Sequence, residues 1–584
     1  MAVFDNSKKN DEFDVIILGG GIAGLSIARH LKLLYKDIKI MILDMRKFPI
    51  PISTYKVGES TLEIAGYYFT EHLKLKEYLD EKHLTKMGLR YFWLNDTEIV
   101  SSPEIGPERI PEVQSFQIDR GLIENDLWFL NEEMGIQVTD HARIIDFEIK
   151  SDSMHKVVYK NLSKESIHEL RSRWLIDATG RSRLLQRKLS LGKKVKSKHS
   201  AIWFRVKGKI NIEDLNVKNE VAWKERVVTA DRSLATVHLM GKGYWVWIIP
   251  LSSENTSIGI VTDGKEHPFK EYNTKEKALL WLIKNEPKFL SLLRGKEIFD
   301  FGVMKNYSYS SRRIFSEDRW GCVGEAALFP DPFQSPGFNL IAYESIVMAK
   351  MVKDDIDNEL DSSKIKYYSD LIISESEWTM FNTQCSYSYF HNPAIFSASD
   401  IWDFIANWSI SFPQFYYLTF LNNDLNQIIK EITSEYTNLN LIMKRLFIDW
   451  ERQSNNNLMF SYIDKYSIPF LYEIREQILQ NKSSSKEVLA ELYKRNLDLI
   501  KRSAVSFFLI AIEDVMPEKL PFIMEKRSLN YKGISMDSNI WEENGLFSEI
   551  GVEYQHIWSQ LRGLYKINNN NFEKEKSIEI NLNI

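Results

Sequence analysis

The chain has 584 residues, 44% of them hydrophobic and 27% charged, and a net charge of −5. That length buries at least one large core and suggests two to four structural units, and the small net charge offers no field for a nucleic-acid backbone. Two cysteines, Cys322 and Cys385, make neither a disulfide framework nor a metal site of cysteines alone, which points to a reducing, cytoplasmic location and to no metal.

The first stretch, residues 1–12, is polar and reads as a flexible N-terminus without the apolar core of a secretory signal. Phe13-Asp-Val-Ile-Ile-Leu18 is an apolar run ending at glycines, as a buried parallel strand does. Helical spacing follows from Leu25 to Tyr35, then a second strand over Ile38–Asp44, which makes a βαβ unit. From about 90 to 320 strand-like runs dominate, among them Val157–Tyr159, Ser200–Val206, Leu234–Leu239 and Thr256–Val261. From about 340 to 565 the pattern is helical, with Val505–Ile512 too short to span a bilayer and read as a buried helix segment. The remaining 566–584, with the run Asn568–Asn571, is low in complexity and reads as a disordered tail with the coding bias of an AT-rich genome. No internal repeat stands out. Aromatic residues make up 12% of the chain and crowd its C-terminal half, as at Trp378, Phe381, Tyr387, Tyr389, Phe390, Trp402, Phe404 and Trp408. Helix packing explains them, and so does a pocket for a flat organic molecule.

Gly19-Gly20-Gly21-Ile-Ala23-Gly24 closes the first strand and opens the first helix. A pyrophosphate approaching bare backbone at a helix N-terminus needs glycines so spaced. Asp44, 20 residues beyond Gly24, stands where a ribose hydroxyl needs an acceptor. Strand, glycines, helix and acid together predict a dinucleotide site built from Gly19, Gly20, Gly21, Ala23, Gly24 and Asp44.

Later motifs identify the dinucleotide. Asp177-Ala-Thr-Gly180, Gly324-Glu-Ala-Ala327, Asp331-Pro-Phe-Gln-Ser-Pro-Gly337 and Gln117-Ile-Asp-Arg120 together resemble the fingerprints of the FAD-dependent aromatic hydroxylase superfamily. The resemblance implies FAD, with Arg120 over the cofactor and Asp331 and Phe338 at the flavin end. It also implies an α/β fold: a Rossmann-like FAD-binding domain with an inserted mixed β-sheet substrate module over 13–345, and a helical C-terminal region over 346–565 that caps the substrate site.

Within that superfamily three further stretches resemble the flavin-dependent halogenases. Trp245-Val-Trp247-Ile-Ile-Pro250 fits W-x-W-x-I-P, Val57-Gly-Glu-Ser60 fits V-G-E-S, and Lys86-Met-Gly-Leu-Arg-Tyr-Phe-Trp93 fits K-x-G-x-x-[FY]-x-W. On its own Lys86 would be one more solvated lysine beside Lys74, Lys76 and Lys82, and the two tryptophans an ordinary buried strand. The resemblance makes Lys86 catalytic and gives Trp245 and Trp247 the task of walling substrate off from the flavin. It implies reduced flavin (FADH2) from a separate reductase, O2, and chloride or bromide oxidised to hypohalous acid, which the lysine aims at an electron-rich ring.

Two departures matter. The family's halide site lies in the D-P-x-x-S-x-G segment, here at Pro336 and Gly337, and Pro336 has no N–H to offer a halide. Tryptophan-acting members carry glutamate where Gln334 stands, so a phenolic, polyketide-derived ring is the expected substrate. The expected partners are that small aromatic molecule, a flavin reductase and an acyl carrier protein, with no nucleic acid and no membrane span. A hydroxylase using NAD(P)H directly, and a silent FAD-binding module, share the nucleotide motifs and stand as the alternatives.

Overall fold

The computed structural model describes residues 12–52, 56–94, 97–228, 231–422, 425–481 and 485–567. Strand β1 (Glu12–Leu18) is fully buried from Val15 to Leu18, as a strand covered on both faces has to be. It lies between β2 (Ile40–Leu43) and the strand Ser166–Asp177, parallel to both. Gln137–Thr139 extends the parallel sheet on one side and Trp320–Cys322 on the other. An antiparallel meander, Ala142–Glu148, His155–Asn161 and Ser166–Asp177, adds the remaining arm. Helix α1 (Ile22–Leu34) connects β1 to β2, so the βαβ unit stands where the sequence placed it. It starts three residues before Leu25 because Gly21, extended at φ −84°, already serves as its N-cap.

The inserted module is a second sheet of eight strands among the described residues. Its order is Gly302–Met304, His199–Lys207, Asn255–Asp263, Tyr244–Pro250, Thr236–Gly241, β4 (Leu89–Phe92), Glu104–Ile105 and Tyr462–Ile463. Most neighbours are antiparallel, but β4 pairs with Thr236–Gly241 in parallel, which makes the sheet mixed. Strand β3 (Leu84–Lys86), just before β4, pairs separately with Ser115–Gln117.

The period of two along Tyr244–Pro250 sorts its side chains between two cores. Trp245, Trp247 and Ile249 join the large core that also holds the nucleotide sheet and the C-terminal helices. Tyr244, Val246 and Ile248 join a smaller core on the module's outer side. Both tryptophans therefore point toward the nucleotide domain. The indole of Trp247 lies over Gly259 of the neighbouring strand, where an added Cβ would stand 2.1 Å from its ring.

Beyond residue 337 the chain is mainly helical, as expected. The longest helices are Gly337–Ile356, Ser362–Ser386, Asn426–Gln453 and Lys486–Val515. The first runs across residue 345, and Val505–Ile512 lies buried in the last. Two interruptions among the described residues depart from the helical expectation: the short strands Ser528–Leu529 and Val552–Glu553 pair with each other, and an earlier break bears on the site. Ser454-Asn-Asn-Asn457 stops a helix, and the chain then forms strand Leu458–Met459, strand Tyr462–Ile463 and the 3-10 turn Lys465–Ser467. Asp464 starts that turn by accepting from the backbone N–H of Tyr466 at 2.8 Å. At the tail Lys566 and Ile567 pair with Leu458–Met459, while 568–584, like 1–11, lie outside the described residues. Among the described residues no helix is long and apolar enough to cross a membrane.

Because Gly259 has no space for a methyl group under the Trp247 indole, Gly259→Ala should destabilise the fold by roughly 1–3 kcal/mol through overpacking. Thermal unfolding of the two proteins measures this, and an unchanged melting temperature would mean the indole is not fixed there.

Candidate functional site

At the nucleotide end, packing decides most of the glycines. Gly19 has φ +106°, and a Cβ there would lie 2.4 Å from the carbonyl oxygen of Ala178. A Cβ on Gly24 would lie 2.0 Å from the oxygen of Gly19, and one on Gly20 would meet the Trp128 ring at 2.6 Å. Gly21 differs, for its Cβ would find only the Lys56 amine, at 3.5 Å. Ala23 packs where Gly324 of the G-E-A turn would carry a Cβ, at 2.8 Å, which draws that turn against α1.

The charges around this cradle are arranged for an anion. Asp44 is buried and accepts from the N–H of Gly20 at 2.7 Å and from the guanidinium of Arg46 through both its oxygens. Arg46, Lys56 and Arg120 converge on one carboxylate, Glu124. Burial alone would raise the pKa of Glu124, but Arg120, Lys56 and Arg46 hold it down at about 2. Three cations facing Asp44 and Glu124 leave a positive excess beside the N-terminus of α1, where backbone N–H groups also point outward. Arg120 Nε is buried and, among the described residues, without a hydrogen-bond partner. Open space at Gly21, excess cation and an unpartnered guanidinium nitrogen fit the diphosphate of a dinucleotide. A ribose hydroxyl reaching Asp44 would share that carboxylate with Arg46.

Lys86 ends β3, where it pairs with Ser115. The V-G-E-S loop is strapped to the same strand: Thr61 Oγ1 accepts from the N–H of Phe116 at 2.7 Å, and the Thr61 N–H donates to the Phe116 carbonyl at 3.0 Å. The strapping aims the Thr61 carbonyl at Lys86, whose amine donates to it at 2.7 Å. The lysine side chain has no exposure. Burial brings its pKa down to about 7; Glu63 opposes the shift and Lys465 adds to it. His238, also buried, is held neutral, with a pKa of about 3 caused first by burial and then by Lys86.

From His238 the site runs to the tryptophans. Its ring stacks on Tyr91 at 4.8 Å and lies 5.5 Å from Trp245. Trp245 and Trp247 are 5.7 Å apart, and Phe333 packs edge-on against Trp245 at 5.3 Å. Both indole N–H groups are fixed: Trp245 donates to the Tyr387 hydroxyl at 3.0 Å and Trp247 to Ser257 Oγ at 3.2 Å. Ser257 in turn donates to Glu59 of the V-G-E-S segment at 3.1 Å.

The segment 331–337 completes the site. Asp331 is buried, and its Oδ2 accepts from Tyr307 at 2.7 Å and lies 2.7 Å from His199 Nδ1. Oδ1 takes the N–H of Phe333 at 3.0 Å. Asp331 thus anchors its own loop to the inserted module. Gln334 and Ser335 both have left-handed backbone, φ +60° and +58°. Pro336 is the N-cap of helix Gly337–Ile356, and a Cβ on Gly337 would meet nothing within 4 Å. The helix's first N–H groups, from Gly337 onward, are the donors a halide or flavin carbonyl would use. Phe338 is buried under the guanidinium of Arg120, 5.6 Å from its ring centre.

The structure thus joins Lys86, Trp245 and Trp247 through His238, and gathers Gly19, Gly20, Gly21, Ala23, Gly24, Asp44 and Arg120 at the other end. Several residues had no reading from sequence. Glu124 sits one helical turn after Arg120, a spacing that could have pointed to it. Asp400, Lys465 and Tyr466 had no local signal. Lys465 pairs with Asp400 at 2.7 Å, Asp400 accepts from Gln334 at 2.9 Å, and Tyr466 donates to Glu63 at 2.7 Å. A separate surface groove of about 690 Å³, between helix Asn426–Gln453 and Tyr531, includes none of these residues.

A parallel sheet with a glycine cradle, joined to a mixed sheet and a helical region, defines an α/β protein with an anion cradle at one end of the site and a buried lysine at the other. Its resemblance is to the flavin-dependent halogenases. No family model matches the chain. The flavin-dependent halogenase chlA of Dictyostelium discoideum is 30% identical over 382 residues, 60% of this chain and 61% of that relative's length. The 1H-pyrrole-2-carbonyl-(peptidyl-carrier protein) brominase of Pseudoalteromonas luteoviolacea is 27% identical over 59% of this chain and 78% of its own. Among solved structures, halogenase PltM in complex with phloroglucinol and FAD shares the fold at a TM-score of 0.59 and 16% identity, covering 84% of this chain and 96% of that one.

The low pKa of Lys86 ties stability to pH. The native state sheds its proton near pH 7 and the unfolded chain only near pH 10.5, so between these the unfolded state binds more protons and stability rises with pH. Below about pH 7 the burial penalty is complete. Lys86→Met should therefore raise the melting temperature at pH 6 by more than at pH 9.5. An equal rise at both pH values would show that the amine is not buried uncharged.

Proposed function

We propose that this chain is a reduced-flavin-dependent halogenase acting on an electron-rich, phenolic ring. The observation that supports it best is the setting of Lys86: a fully buried amine held by a backbone carbonyl rather than by a carboxylate. A structural lysine in such a place would be paired, as Lys465 is with Asp400 and Lys444 with Asp403. Leaving it unpaired keeps a nucleophilic amine beside a neutral histidine and an aromatic wall.

In this reading Gly21, Arg46, Lys56 and Arg120 hold the cofactor's diphosphate, and Asp44 shares its adenosine ribose with Arg46. The bound reduced flavin, supplied by a separate reductase, provides with O2 the oxidising equivalents that turn chloride or bromide into hypohalous acid. The chain's own residues do the rest. The N–H groups of Gly337 and Phe338 hold the halide, Pro336 contributing none. Trp245 and Trp247, each fixed through its indole N–H, fill the space between the two ends and exclude the ring from the cofactor. Lys86 receives the oxidant, as a free amine that takes up halogen or as an ammonium that donates a hydrogen bond to hypohalous acid. A pKa of about 7 keeps both forms available at neutral pH. The ring is then attacked where it lies closest to Nζ, so orientation in the chamber sets the position of the halogen.

Gln334, where tryptophan-acting halogenases carry glutamate, supports a phenolic rather than a tryptophan substrate, and the rings of Tyr91, Phe333, Phe390 and Phe396 packed beside it suit a flat molecule. Carrier-tethered substrates, named for the Pseudoalteromonas relative, make an acyl carrier protein a second candidate partner.

The test is mass spectrometry of a trihydroxyphenyl ketone incubated with the protein, FAD, a flavin reductase, NADH, O2 and bromide. The expected product carries the bromine isotope doublet, and Lys86→Ala should lower its rate by roughly 10²-fold or more while FAD binding persists. A product that gains only oxygen, formed with NAD(P)H and no reductase, would make the chain a hydroxylase. The halogenation rate of the wild-type protein should also show a pH limb near 7. A rising limb would identify the free amine as the acting form and a falling one the ammonium; a flat profile from pH 6 to 8.5 counts against Lys86.

A further inference from the structure

The Lys465-Tyr466 turn touches both chemically active points of the proposed site. On one side the Lys465 amine bonds Asp400 at 2.7 Å, and Asp400 accepts from the Gln334 side chain at 2.9 Å. On the other side the Tyr466 hydroxyl bonds Glu63 at 2.7 Å, two residues beyond Thr61, whose carbonyl holds Lys86. Lys465, Asp400 and Glu63 are all buried. The turn is fixed from behind, since Arg475 donates to the Tyr466 carbonyl at 2.7 Å and pairs with Glu112. Just before it, Tyr462–Ile463 forms the edge strand of the inserted sheet.

The Gln334 end is where a latch is needed. Gln334 and Ser335 carry consecutive left-handed backbones without being glycine, and such strain persists only where surroundings over-determine it. The two residues immediately precede Pro336, after which Gly337 and Phe338 carry the proposed halide donors. Asp400 Oδ1 accepts from Gln334 Nε2, which fixes the amide with its NH2 group toward Asp400. Lys465 pairs with the other oxygen of that buried carboxylate.

We propose that the Lys465-Tyr466 turn is a positioning device of the helical region, which holds the 331–337 loop in its strained form and sets it relative to Lys86. The proposal rests on the halogenase reading for its chemical consequence, but not for its structural one. Asp400 pairs with Lys465, and among the described residues no carboxylate is bonded to Lys86.

Three variants separate the two arms. Asp400→Asn weakens the latch, Gln334→Leu removes it while leaving the Lys465–Asp400 pair intact, and Tyr466→Phe cuts only the Glu63 bond. Hydrogen exchange of the amides at 333–335, 337 and 338 should accelerate by about 10-fold or more in either latch variant of the full-length protein and stay unchanged in Tyr466→Phe. Unchanged exchange in Gln334→Leu overturns the proposal, whatever the activity. With FAD bound, bromide titrated against flavin fluorescence should bind roughly ten-fold more weakly in the latch variants and normally in Tyr466→Phe. Equal bromide affinity in all four proteins also overturns it. Under turnover, Tyr466→Phe should keep its halide KM yet pass more hypohalous acid to a 1,3-diketone scavenger in solution, because Lys86 is displaced from its path. No increase in scavenged halogen relative to wild type would remove Tyr466 from the device. A wild-type protein that binds no bromide would sink the halogenase reading, and the exchange result would still decide the latch.

Discussion

The arrangement depends on one electrostatic constraint: an amine with no exposure is bonded to the Thr61 carbonyl, and among the described residues no carboxylate is bonded to it. An ammonium buried this way is costly, and burial outweighs the opposing charge of Glu63 in bringing the amine's pKa down to about 7. His238 is held neutral, and Asp400 is already bound to Lys465. The strapping of Thr61 to Ser115–Gln117 fixes the carbonyl that receives the amine. At the other end of the site the reverse rule holds. Arg46, Lys56 and Arg120 are gathered over Glu124, and with Asp44 counted a positive excess remains, as the proposed diphosphate would require.

Much of the fold was legible because its signals are local. The glycine cradle follows a buried strand and precedes a helix, so each residue's task can be read from its neighbours. Packing gives the same answer: the Cβ of any residue at Gly19 or Gly24 would strike backbone. The tryptophan pair was readable as a wall or as a plain strand, and alternation in the sheet sends both indoles to the nucleotide side. What was illegible depends on tertiary contact. Nothing near Asp400 marks it as the partner of Gln334, 66 residues away, or of Lys465. The strand and turn at 458–467 were hidden inside a helical expectation, since two-residue strands have no periodicity to detect.

The proline before Gly337 changes the halide end less than its missing N–H suggests. As the N-cap it needs no donor of its own, and its ring favours the first helical turn that presents the N–H groups of Gly337 and Phe338. The cost is shifted to Gln334 and Ser335, which take the left-handed conformations.

The edge strand Tyr462–Ile463 lies parallel to Glu104–Ile105, more than 350 residues earlier in the chain. Contacts of that separation form late, because the closure of so long a loop has to precede them. During synthesis the nucleotide half, complete in its sheet by residue 322, can assemble well before the lysine chamber has all its walls. A newly made chain would then hold a cofactor cradle before it holds the means of confining an oxidant, so the order of assembly bears on self-damage as well as on yield.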